Sequence, residues 1–168
     1  MVFSLSPFDP NREVRSNPVA ITIVPVPRNL AYEQAIGQFQ MNTTYTPRTL
    51  RANEAVTVKV TVVGQGNLKL STPPHFKLPN DIESYAPKAH IKETMTESGI
   101  NAEKVFELTW VPRSAGEFAI PAATWIYFDP SSKQFITLAT SPVNINVQKG
   151  AGSVAVGVIA STLASEVA

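Results

Sequence analysis

Val56, Val58, Val60 and Val62 alternate with Thr57, Lys59 and Thr61. Side chains repeat every two residues on a strand and every 3.6 on a helix, so this segment can bury its valines together only as a β-strand. The same period returns at Phe106, Leu108 and Trp110 against Glu107 and Thr109, and at Val143, Ile145 and Val147 against Asn144 and Asn146. Fourteen prolines and eight glycines divide the chain into short segments, and none before the C-terminus sustains a helical period. One apolar face per strand is what two stacked antiparallel sheets require, since each covers the core and turns its other face to water.

The alternation predicts strands over 38–46, 55–63, 66–70, 91–96, 103–111, 117–127, 134–140 and 142–148. Turn residues separate several of them: Gly64-Gln65-Gly66-Asn67, Pro112-Arg113-Ser114-Ala115-Gly116 and Asp129-Pro130-Ser131-Ser132. Pro73 to Pro87 holds four prolines and reads as a long ordered loop or irregular edge. The pattern predicts an all-β fold, an immunoglobulin-like antiparallel β-sandwich. Gly64 and Gly66 are expected to supply a hairpin turn. A phosphate loop would need the Gly-Lys-Ser/Thr or βαβ context that is missing here.

Composition removes several functions. Fourteen basic and thirteen acidic side chains leave a formal net charge of +1, which gives no footprint for nucleic acid or an anionic membrane. Cysteine is absent, and with it disulfides, thiolate metal sites and a cysteine nucleophile. His75 and His90 are the only histidines and lack the organised spacing of a zinc site. No Gly-x-Ser-x-Gly elbow accompanies the serines. The chain is therefore expected to be no enzyme and to hold no cofactor and no metal.

Phe8-Asp9-Pro10 followed by Pro18-Val19-Ala20-Ile21-Thr22-Ile23 is echoed by Phe128-Asp129-Pro130 followed by Pro142-Val143-Asn144-Ile145-Asn146-Val147. The echo predicts that 1–26 is the terminal hairpin of a preceding, truncated β domain. A linker over 27–36, one sandwich domain over 37–149 and a flexible or partly helical tail over 150–168 follow. An orphaned hairpin exposes an apolar face and an unpaired edge, so a truncation-induced homodimer is expected. No secretory signal pattern opens the chain and no stretch of about 18 apolar residues could span a bilayer; any export signal is expected upstream.

Gly37-x-Phe39, Gly64-x-Gly66-Asn67-Leu68, Pro73-Pro74, Tyr85-x-Pro87, Pro112-Arg113-x-x-Gly116 with Ile120-Pro121, Tyr127-Phe128-Asp129-Pro130 and Thr140-Ser141-Pro142-Val143 occur in this order. Together they resemble the BatD-type proteins of the bacterial aerotolerance, or oxygen-tolerance, system. The resemblance implies an envelope protein with β domains on the periplasmic side of the membrane and an anchor elsewhere. Its partners would be von Willebrand factor A-type envelope proteins, encoded beside it with a MoxR-type ATPase. It implies a part in complex assembly or stress tolerance and transfers no catalytic residues.

Candidate partner contacts are Arg113, Trp125, Tyr127 and Phe128. Trp110 shares parity with Phe106 and Leu108 and is expected in the core. Trp125 and Tyr127 face together, opposite Phe128, so one of those two faces is a candidate surface. Arg113 in its turn would either clamp neighbouring loops or meet a partner. The alternative function, a carbohydrate-binding module, requires coplanar exposed aromatics, a condition that burial of both tryptophans would remove.

Overall fold

The computed structural model describes residues 16–29 and 32–150. Ten strands follow one another: β1 (Ile36–Thr46), β2 (Thr49–Arg51), β3 (Val56–Asn67), β4 (Ile82–Ser84), β5 (Lys88–Thr96), β6 (Gly99–Pro112), β7 (Gly116–Ile120), β8 (Thr124–Asp129), β9 (Gln134–Ala139) and β10 (Val143–Gln148). Seven form one sheet in the order β4-β6-β3-β1-β8-β9, with β5 also paired to β6, and the other three form a second sheet, β2-β10-β7. The result is an all-β, immunoglobulin-like sandwich whose larger sheet curls. Most pairings are antiparallel; β2 with β10 and the start of β1 with β8 are parallel.

The alternating segments form its centre. Val56, Val58 and Val60 stand opposite Trp110, Leu108 and Phe106, and all six are buried with Ile120, Val143, Ile145 and Val147 from the smaller sheet. Burying a valine side chain fully contributes roughly 1.5–3 kcal/mol, so this double row supplies much of the driving force for folding.

Several boundaries differ from the sequence reading. The glycines at 64 and 66 do not turn the chain, because β3 runs through them in register with Phe39 and Gly37 of β1. Gly37 and Gly66 adopt φ of +150° and +144°. A side-chain carbon on Gly37 would strike the Gln65 carbonyl, and one on Gly66 the Ile36 carbonyl. The Phe39 ring covers the space that glycine leaves. The segment 117–127 is two strands rather than one. The chain leaves the smaller sheet after Ile120, and Pro121, which has no N–H to donate, leads it across to β8. The expected linker over 27–36 is shorter than expected: Ala35 is buried, Tyr32 packs edge-on against Phe135 at 5.6 Å, and Glu33 N donates to Ile126 O at 2.9 Å.

Residues 16–26 have no strand partner among the described residues. The other limb of the expected hairpin, and the tail beyond Gly150, lie outside them.

Candidate functional site

Arg113 sits in the turn between β6 and β7. Its Nε donates to Glu83 Oε2 at 2.8 Å, and its Nη2 donates to the same carboxylate and to the Tyr85 hydroxyl. Nη1 reaches Asn53 Oδ1 at 3.2 Å, while the main-chain Arg113 N donates to Asp81 O at 2.8 Å. One planar guanidinium, with its donors in a fixed fork, thus joins the β4 edge, the turn before β3 and its own turn. The Glu83 hydrogen bond raises its pKa further above the ordinary arginine value. This is the clamp reading of Arg113.

The aromatic candidates are corrected by the structure. Trp125 is 0% exposed, Tyr127 6% and Phe128 8%, so none of these side chains is presented to a partner. Trp125 and Tyr127 face inward onto Phe39, at ring distances of 6.0 and 5.3 Å, and Trp125 Nε1 donates to Thr72 O at 2.8 Å. Phe128, on the opposite face, is covered by Phe135 at 5.2 Å, with Tyr32 packed against Phe135 in turn. The segment expected to be a linker supplies that outer cover. Trp110 is also 0% exposed, so no tryptophan platform exists for a sugar ring and the carbohydrate-binding reading falls.

The exposed feature that does stand out is β5, in which every residue is exposed. Among the described residues it pairs with β6 alone, and its outer row of N–H and C=O groups is open, the arrangement that invites another strand. Ile91 and Met95 stand opposite Lys104 and Ile100, on the face that is core further along the sheet, yet they are 42% and 86% exposed. Only 91–96 of this strand was legible, because Lys88-Ala89-His90 carries no large apolar side chain. The usable signal was the length of the alternating β6, which needs a neighbour along its other edge.

The hairpin is braced from behind. Gln65 Nε2 donates to Ser98 O at 2.6 Å, and Thr96 Oγ1 donates to Gly99 O at 2.8 Å. Lys104, buried on the inner face of β6, donates to the carbonyls of Leu68, Lys69 and Ser71 at 2.9, 3.0 and 2.7 Å. Its Nζ lies 5.2 Å from the centre of the Phe106 ring. Burial lowers its pKa below the ordinary lysine value, partly offset by Glu93. A saturated ammonium of this kind anchors a loop.

Among the described residues no group of three or more His, Cys, Asp or Glu side chains could hold a metal ion. His90 stands on β5 and His75 in the loop before β4. A family model described as a BatD DUF11 like domain matches residues 43–147. No curated protein and no solved structure matches the chain.

Proposed function

The chain belongs to the BatD family, and from that premise we propose that it is an assembly domain of an envelope complex, docking a protein partner along β5. It is a non-catalytic protein-interaction domain; the proposal concerns where it works and what it meets. The observation that carries the reading is the fully exposed β5 edge with Ile91 and Met95 on its inner face. An exposed edge joins a partner strand through main-chain hydrogen bonds, and flanking apolar side chains add affinity and register. We place the domain on the periplasmic side of the membrane, in an aerotolerance or stress-related assembly. Its partner is a von Willebrand factor A-type envelope protein that contributes an extended strand. Family membership supports that setting.

The test is binding of a purified von Willebrand factor A-type envelope domain, measured by biolayer interferometry against the wild type and an Ile91→Glu/Met95→Glu variant. Both positions are exposed, so the variant should keep its melting temperature. The expected result is at least about a tenfold loss of affinity, since contacts near an interface centre carry most of the binding energy. Unchanged affinity in the variant, or no binding by the wild type, overturns the proposal.

A further inference from the structure

On the other side of β3 from the β5 hairpin, β1 has an edge of its own. It pairs with β8 only at Ile36↔Phe128. From Gly37 to Thr46 its main chain has a strand partner on the β3 side alone among the described residues. The Thr43 N–H, on the open side, is taken by the Asn42 side-chain oxygen at 2.9 Å, a local substitute for a neighbouring carbonyl. By the two-residue period of a strand, Met41 and Tyr45 turn their main-chain groups the same way.

Facing this edge is the corner between β9 and β10, formed by Thr140, Ser141 and Pro142. The two bound an open groove of about 560 Å³. Its chemistry is one-sided. Arg48 is the one charged residue in the lining, which contains no carboxylate. Two of the lining residues carry buried hydroxyls: Thr43 Oγ1, which has no hydrogen-bond partner among the described residues, and Tyr45 OH, which lies against Thr140. Tyr45 as a whole is only 8% exposed. Buried hydroxyls are nearly always satisfied in folded proteins, and an unsatisfied Thr43 hydroxyl in the same groove as the Arg48 guanidinium points to a missing acceptor. Burial also raises the Tyr45 pKa, with a hydrogen bond to Thr140 and the Arg48 charge acting in the opposite sense.

We infer that this groove binds an extended peptide segment of a partner protein, whose main chain lies along β1 and whose aspartate or glutamate side chain pairs with Arg48 and accepts from the Thr43 hydroxyl. The peptide main chain answers the open edge, and the carboxylate answers the donor-rich, acid-free lining. The guanidinium favours a planar carboxylate because it can donate two parallel hydrogen bonds to it. A small inorganic anion would meet the charge and leave the strand edge unused. This site is separate from β5, so its failure and that of the β5 proposal are read by different variants.

The experiment selects a random decapeptide library on the whole chain and maps one enriched peptide by amide chemical shifts. Enriched peptides should carry Asp or Glu, and should perturb amides over 41–48 and 139–144. Affinity should fall about tenfold or more in Arg48→Gln, as expected when a charge-assisted pair is lost, and about threefold in Thr43→Val. The Ile91→Glu/Met95→Glu variant should bind the peptide as the wild type does. Absence of enrichment, enrichment without acidic residues, or shifts centred on β5 would each overturn the inference. So would inorganic phosphate shifting the groove amides when the peptide does not.

Discussion

The Lys104 ammonium donates to the Ser71 carbonyl at 2.7 Å from a side chain that the fold has almost wholly buried. With Leu68 and Lys69 as its other acceptors, it pins the chain leaving β3 to β6. Replacing it by methionine fills the space but leaves carbonyls short of a donor, at a cost of about 1–3 kcal/mol for the unsatisfied groups. Urea denaturation of Lys104→Met should therefore show a lower midpoint with an unchanged slope. A variant as stable as the wild type would mean that water replaces the ammonium without penalty.

Gly66→Ala should be among the most damaging small substitutions in the chain. Residue 66 has φ of +144°, a backbone region that disfavours any side chain by about 1–3 kcal/mol, and the new carbon would also strike the Ile36 carbonyl across the ladder. A loss of at least about 2 kcal/mol is expected in chemical denaturation. A variant within about 0.5 kcal/mol of the wild type, the usual range for a harmless surface change, would refute this account of the glycines.

That glycine pair also marks where the sequence ceases to be legible. Period-2 alternation located the buried rows of β3, β6 and β10 because burial on one face leaves its record in a single segment. Gly64 and Gly66 looked like a turn because turns use glycine for its conformational freedom, and a strand can use the same freedom to admit Phe39 from another strand. Which of the two holds depends on a residue far away in sequence. Trp125 and Phe128 were misplaced for the same reason: parity showed that they point in opposite directions, but both directions are covered, one by Phe39 and the other by Phe135. The unpaired hydroxyl of Thr43 carries no sequence signal, since Thr43 is an ordinary strand residue until its surroundings are assembled.

The two tryptophans, equally buried, should respond differently to the same change. Trp125 Nε1 donates to Thr72 O at 2.8 Å, whereas Trp110 Nε1 is buried without a partner. Phenylalanine at 125 leaves the Thr72 carbonyl unanswered; phenylalanine at 110 removes a donor that was already unsatisfied. Both lose some packing, so the comparison isolates the hydrogen bond. Trp125→Phe should cost about 1 kcal/mol more than Trp110→Phe. Equal costs in guanidinium denaturation would show that the Trp125 bond contributes no net stability.

Asp129 gives the stability a pH dependence of known sign. Its Oδ1 accepts from Ser131 N at 2.8 Å and its Oδ2 from Ser132 Oγ at 3.0 Å. The Ser131 amide is the main cause that holds its pKa below the ordinary aspartate value, against the opposing effect of burial. Because the folded pKa is the lower one, the unfolded chain takes up this proton first as pH falls. The stability Asp129 contributes is complete above the unfolded value and is lost as pH falls through the folded one. The melting-temperature advantage of the wild type over Asp129→Asn should be constant between about pH 5 and 8 and shrink below about pH 4. An advantage that persists undiminished at about pH 2 would place its origin outside this carboxylate.

The segment before the domain poses the last question. In β10, Val143, Ile145 and Val147 form a buried face, while their counterparts in the echo, Val19, Ile21 and Ile23, are 82%, 81% and 87% exposed. Three large apolar side chains in a row on an unpaired segment favour association, because burying them removes apolar surface from water. A second copy of the chain offers what they lack, an apolar face and an open strand edge. We therefore expect a homodimer joined through 16–26 in the isolated chain. Tyr32 to Ala35 belongs to the sandwich and Asn29 O accepts from Tyr32 N, so the cut that removes the segment without harming the domain falls before Asn29. A chain starting at Asn29 should melt within a degree or two of the full one and run as a monomer by light scattering at concentrations where the full chain associates. If it unfolds, the segment is part of the core; if it associates as strongly as before, the β5 edge or the β1 groove is the contact instead.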